Sequence, residues 1–109
     1  MLLHSHASVK NTVKNVLNKF SRIDVLVNNA GINKLAPAEK MPLEVWQRIL
    51  GVNLTGTFLM CREVGAAMIE NGGGNIVNIA SMSGLVVNPL PQQQCAYNSS
   101  KAGVIMLTK

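Results

Sequence analysis

Ile23-Asp-Val-Leu-Val-Asn-Asn-Ala-Gly31 is the stretch whose reading decides the fold. Residues 23 to 27 form a short apolar, β-branched run with one polar interruption. That pattern predicts a strand buried on both faces, as in parallel sheets. Its end, Asn28-Asn-Ala-Gly31, is polar and small, and marks the carboxyl edge of the strand, where α/β folds bind ligands. Just upstream, Val9, Val13, Val16, Leu17 and Phe20 recur at helical spacing opposite Lys10, Lys14, Asn15 and Asn18. This predicts an amphipathic helix over 8–20 with Ser8 as its N-cap.

Downstream, residues 32 to 41 read as a loop broken by Pro37 and Pro42, and Pro42 suits the first turn of a helix. From Leu43 to about Glu70 the apolar residues again recur at helical spacing. Gly51, Gly56 and Gly65 interrupt that stretch and predict a kink or a close packing contact. Asn71-Gly-Gly-Gly74 follows a helix and precedes a strand, so it reads as a C-cap and turn rather than a phosphate loop. Asn75-Ile-Val-Asn-Ile-Ala80 predicts a second buried strand, closing at Ser81. After a loop with Pro89, Pro91 and three glutamines, a last helix begins near Ala96 and still runs at Lys109. The order is helix-strand-helix-strand-helix, an α/β class in which right-handed crossovers make the two strands parallel.

Composition narrows the classes of function. The chain has 109 residues, 48% hydrophobic and only 14% charged, with a net charge of +5. The basic residues are scattered and aromatic residues number four, so no basic, aromatic-rich patch for nucleic acid is expected. No apolar run reaches the ~18 residues of a membrane span, and the amino terminus lacks the pattern of a secretion signal. A cytoplasmic protein is the expectation. Cys61 falls in an apolar helical pattern and reads as a reduced core thiol. Cys95 has no sequence-near histidine and gets no nucleophilic role. His4 and His6 have no third ligand near them, and no metal site is assigned.

The chemistry-bearing residues are Tyr97 and Lys101, one helical turn apart in Cys95-Ala-Tyr-Asn-Ser-Ser-Lys101, and Ser81 in Ala80-Ser-Met-Ser-Gly84. A free tyrosine titrates near pH ~10, and a fixed positive charge beside it stabilises the phenolate. Such a phenol can exchange a proton with a carbonyl or alcohol oxygen, and a serine hydroxyl can hold that oxygen in place. Each residue alone has a plainer reading, as a half-exposed tyrosine beside a solvated lysine, or a serine capping a turn. Asn53, in Val52-Asn-Leu-Thr-Gly56, is a poor helix former inside a helical stretch. It either bonds to backbone at a kink or presents its amide to a neighbouring site. Gly31, lacking a side chain, lets the backbone approach a flat ligand closely.

Taken in order, these motifs resemble the short-chain dehydrogenase/reductase superfamily. Asn28-Asn-Ala-Gly31 after an apolar strand, Val52-Asn-Leu-Thr-Gly56, Ser81 and Tyr97-Asn-Ser-Ser-Lys101 each match a motif of that family. The likeness runs from about Ser8 to the end. It implies a Rossmann-type doubly wound parallel sheet and an oxidoreductase interconverting a secondary alcohol and a ketone with NAD(H) or NADP(H). By position, Tyr97 is then the general acid/base, Ser81 positions the substrate oxygen, and Lys101 supports the phenolate and binds the nicotinamide ribose. Asn53 holds a water that links the lysine to solvent. Asn29, Ala30 and Gly31 lie along the cofactor. Ser83 is the nearest rival to Ser81.

The finer likeness is to dehydrogenases of polyols and sugar acids. The loop amides of Asn88, Gln92, Gln93 and Gln94 can hydrogen-bond several hydroxyls, or lie idle in solvent. The alternative is a 3-oxoacyl-type ketoreductase. No Gly-x-x-x-Gly-x-Gly occurs, so the turn that cradles a pyrophosphate is missing. The expectation is a single partial domain, residues 1–109, from the middle of the family's fold. A partial record of a working enzyme and a truncated, non-catalytic remnant both fit. A homo-oligomer is expected of the longer protein, pairing through helices 43–70 and 96 onward.

Overall fold

The computed structural model describes residues 2–86, 88–89 and 91–109. Among these residues four α-helices and two strands follow the predicted order: α1 (His6–Phe20), β1 (Val25–Asn28), α2 (Leu43–Leu50), α3 (Gly56–Glu70), β2 (Asn75–Asn78) and α4 (Cys95–Thr108), with a π-helical turn, Gly51–Thr55, joining α2 to α3. Among the described residues no helix is long and apolar enough to cross a membrane.

Helix α1 begins earlier than the spacing predicts. Its cap is Ser5, whose hydroxyl accepts the Ser8 N–H at 3.3 Å. The Ser8 hydroxyl instead accepts the Leu2 N–H at 2.8 Å, which lays residues 2–4 back against the body. The helix stops at Ser21, held at φ 72°, with its N–H on the Leu17 carbonyl.

Strands β1 and β2 pair in parallel, with Leu26 opposite Ile76 and Asn28 opposite Asn78. Leu26 packs with Val9, Val13, Leu59, Val64 and Met68, the core beneath α1 and α3. The residues alternating with it point the other way. Val25 and Val27 are 56% and 54% exposed, and the facing Val77 is 46% exposed. β1 is thus covered on one side, not on both as its composition predicts, and in β2 Ile76, opposite Leu26, is itself 37% exposed.

The stretch 43–70 keeps helical backbone throughout but changes its hydrogen bonding at the π turn, where the Gly56 N–H reaches the Gly51 carbonyl. The glycines serve close approach here. A Cβ on Gly56 would lie 2.7 Å from that of Leu3, and one on Gly51 would lie 3.0 Å from that of His4. Without side chains they let the amino-terminal segment lie against the helix. The turn after α3 behaves as read: the Gly73 N–H bonds to Met68 O, and Gly72 and Gly73 have positive φ. The loop 32–41 is more ordered than predicted. It holds a short 3₁₀ turn at Ala38–Lys40, and the Ala36 N–H bonds to Gln93 O at 2.9 Å beside an Ala36–Gln94 bridge. Strand end and α4 start are thereby joined.

Candidate active site

The π turn directs Asn53 inward, where it is 1% exposed. Its carboxamide does two jobs at once. Oδ1 accepts the Ile32 N–H at 2.8 Å, while Nδ2 donates to the Ile32 carbonyl at 2.9 Å and to Ser100 Oγ at 3.1 Å. The Asn53 carbonyl accepts the Thr57 hydroxyl at 2.8 Å. Asn53 thus bonds to backbone from the helical irregularity and also presents its amide to the neighbourhood of Gly31 and Ser100. Its partner is the chain just past Gly31.

Lys101 is buried, 4% exposed, and donates to the Ile79 carbonyl at 2.8 Å, just past the end of β2. Its ammonium lies 5.6 Å from the centre of the Tyr97 ring. The ion pairs among the described residues are His6–Glu63, Arg22–Asp24 and Arg62–Glu63, none of which includes it. Burying a cation without an anion is costly. A Cβ placed on Gly31 would come within 3.5 Å of Asn53 Oδ1 and 3.7 Å of Lys101 Nζ. Gly31, Asn53, Lys101 and Tyr97 are therefore neighbours, drawn from the loop after β1, the π turn and α4.

Ser81 follows β2 and caps the 3₁₀ turn Met82–Gly84, its Oγ accepting the Ser83 N–H at 3.1 Å. That turn docks on α4 at the catalytic candidates. A Cβ on Gly84 would lie 2.7 Å from Ala102 N and 2.8 Å from Lys101 C. Ser83, the rival, is 7% exposed and spends its Oγ on Gln94 Nε2. Asn29 and Ala30 are exposed and line a small cavity of about 120 Å³ with Leu3, Val52, Thr57 and Met60.

A family profile described as short chain dehydrogenase matches residues 1–109. The chain belongs to this family. It is 48% identical over 103 residues to the D-threitol dehydrogenase of Mycolicibacterium smegmatis, covering 94% of this chain and 38% of that protein. To the 3-oxoacyl-[acyl-carrier-protein] reductase of Synechocystis it is 46% identical, over 93% of this chain and 40% of that one. The crystal structure of a short-chain type dehydrogenase/reductase from Mycobacterium marinum superposes with a TM-score of 0.92 at 39% identity, covering 97% of this chain and 43% of the other. The chain thus spans about two fifths of the length of the relatives it matches. The Rossmann-type fold class holds for these two strands and their helices.

Several polar partners of these candidate residues escape sequence reading. Ser100 is fully buried, bonding Asn53 and the Tyr97 carbonyl. A serine inside an apolar helix was the available signal. Asn33 and Asn98 join Gln94 in an amide cluster, with Asn33 Nδ2 on Gln94 Oε1 at 2.8 Å. Nothing local marks them. His6, set aside as a metal ligand, bonds Glu63 at 2.8 Å.

Proposed function

We propose that these residues carry the proton-transfer part of an NAD(P)-dependent interconversion of a secondary alcohol and a ketone. The observation that carries the reading is the buried Lys101 ammonium, which has no acidic partner among the described residues and sits beside Tyr97. A buried ammonium with only one protein hydrogen bond keeps donors available for a ligand.

The residues fit a nicotinamide cofactor at its ribose end. An ammonium has three donors, and Lys101 spends one on Ile79 O, leaving two for hydroxyls. Gly31 keeps open the space before Lys101 and Asn53 that a side chain would narrow. Gly31 borders that end of the site; Asn29 and Ala30 precede it in the chain and are proposed to run along the cofactor. When bound, such a cofactor supplies the hydride acceptor or donor. Tyr97 gives its proton to the substrate oxygen during reduction and takes one back during oxidation. The Ser81 Oγ accepts the Ser83 N–H, so its own O–H is free to donate to the same oxygen. The fixed Lys101 charge stabilises the phenolate left behind. Asn53 holds the Ile32 segment and Ser100 in register, and a water on its free lone pair would extend the path from Lys101 toward solvent.

A polyol or sugar-derived substrate is the preferred reading, supported by the amides around Gln94 and the likeness to a threitol dehydrogenase. A 3-oxoacyl substrate is the second reading, favoured by 46% identity to such a reductase. The protein expressed from its intact reading frame is assayed with a panel of polyols and with a 3-oxoacyl thioester, following reduced nicotinamide by absorbance. Turnover that Tyr97→Phe abolishes while cofactor binding persists supports the proposal. Turnover that survives the substitution removes Tyr97 from the role.

A further inference from the structure

The carboxamide of Gln94 is surrounded beyond its capacity. Its Nε2 stands 3.1 Å from each of three oxygens, Ser83 Oγ, Asn88 Oδ1 and Asn98 Oδ1. An amide nitrogen carries two N–H bonds, so one of the three acceptors is always left over. Its Oε1 is engaged by Asn33 Nδ2 at 2.8 Å, which fixes the orientation of the group. Asn88, Gln94 and Asn98 also line one open groove, so the surplus acceptor is reachable from solvent. The cluster adjoins the candidate Ser81: Ser83, whose Oγ accepts from Gln94 Nε2, gives its own N–H to Ser81 Oγ at 3.1 Å.

We infer that Gln94 is the specificity-determining residue for a second hydroxyl of the substrate, which donates to the spare Asn88 or Asn98 oxygen while Gln94 holds the other two. This rests on the alcohol–ketone reading above and selects within it. A polyol brings the donor that the cluster lacks, and a one-hydroxyl alcohol does not. Gln92 and Gln93, which composition treats as equivalent to Gln94, have no side-chain bonds in this network.

The test compares threitol with 2-butanol as substrates of the protein expressed from its intact reading frame. Two variants are made, Gln94→Met and Asn88→Ala. Gln94→Met removes the hub at nearly constant volume. Asn88→Ala leaves both Gln94 N–H groups paired with Ser83 and Asn98, and deletes only the spare acceptor from a half-exposed loop. Each variant is expected to raise KM for threitol by about tenfold or more with kcat nearly unchanged, and to leave 2-butanol within about threefold. Equal losses on both alcohols, an unmoved threitol KM, or an effect of Gln94→Met with none of Asn88→Ala would reduce the cluster to a structural brace and overturn the inference. If the unsubstituted protein oxidises neither alcohol but reduces a 3-oxoacyl thioester, the polyol reading fails and this inference with it; if it does neither, the alcohol–ketone reading itself fails, and both outcomes are separate from any difference between variants.

Discussion

Asn53 grips Ile32 with both atoms of its carboxamide, accepting the N–H at 2.8 Å and donating to the C=O at 2.9 Å. One side chain thereby stands in for a strand partner at the place where β1 ends. Its second N–H reaches Ser100 and ties the same point to α4. The distance from Gly31 to Lys101 is thus set by a residue that belongs to neither element.

Asn53→Ala leaves two backbone groups of Ile32 without partners. The expected loss of stability is about 1–3 kcal/mol. Asn53→Asp keeps the acceptor but loses both donors, and is expected to recover part of that loss at most. Urea midpoints of the three proteins measure it, and a midpoint unchanged in Asn53→Ala would show that the loop does not depend on this grip.

Tyr97→Phe removes the proposed proton donor and leaves the ring in place. A general acid contributes about 10²–10⁴-fold, so kcat is expected to fall within that range while the dissociation constant for reduced nicotinamide stays close to that of the parent. Lys101→Met is expected to lower kcat similarly and to weaken cofactor binding as well. Steady-state kinetics with fluorescence titration of the cofactor separates the two effects.

Gly84 and Gly65 make a controlled pair. A Cβ on Gly84 meets Ala102 N and Lys101 C below 3 Å, while nothing lies within 4 Å of one on Gly65. Gly84→Ala is expected to cost about 1–3 kcal/mol by overpacking and to move Ser81 away from α4. Gly65→Ala, inside α3, is expected to stabilise by about 1 kcal/mol through helix propensity. Thermal unfolding of both variants checks the opposite signs.

Burial pushes the Cys61 thiol above its usual range, against a smaller opposing pull from Asn78 and Asn28. A raised folded value means that the neutral thiol favours the native state below the ordinary thiol pKa. That contribution is lost as pH rises through the folded value. At about pH 8, alkylation of Cys61 by iodoacetamide in the native protein is expected to lag behind a urea-unfolded control. The gap should narrow with rising pH. Equal rates would place the thiol in an unperturbed environment.

Helix and strand order, the polar strand end at Asn28–Gly31, the glycine turn after α3 and the Tyr97–Lys101 pair were all legible in the chain, because each depends on neighbours within a few residues. Hydrophobic period, caps and turn residues are local chemistry. The cap at Ser5 was misplaced to Ser8 only because two serines compete for one helix end. The bare side of the sheet was not legible, since an apolar strand is written the same way whether or not its cover is present.

What tertiary structure alone decided is where the polar groups are satisfied. Asn53 finds Ile32 across 21 residues and Ser100 across 47, Lys101 finds Ile79 across 22, and Asn33 finds Gln94 across 61. A buried amide or ammonium must bond wherever packing brings a partner, and no local pattern specifies that partner. The sequence by itself determined which residues are candidates for proton chemistry and which elements hold them. The folded chain decided that Lys101 is buried without an anion beside Tyr97, and that Gln94 rather than its neighbouring glutamines gathers the surrounding amides.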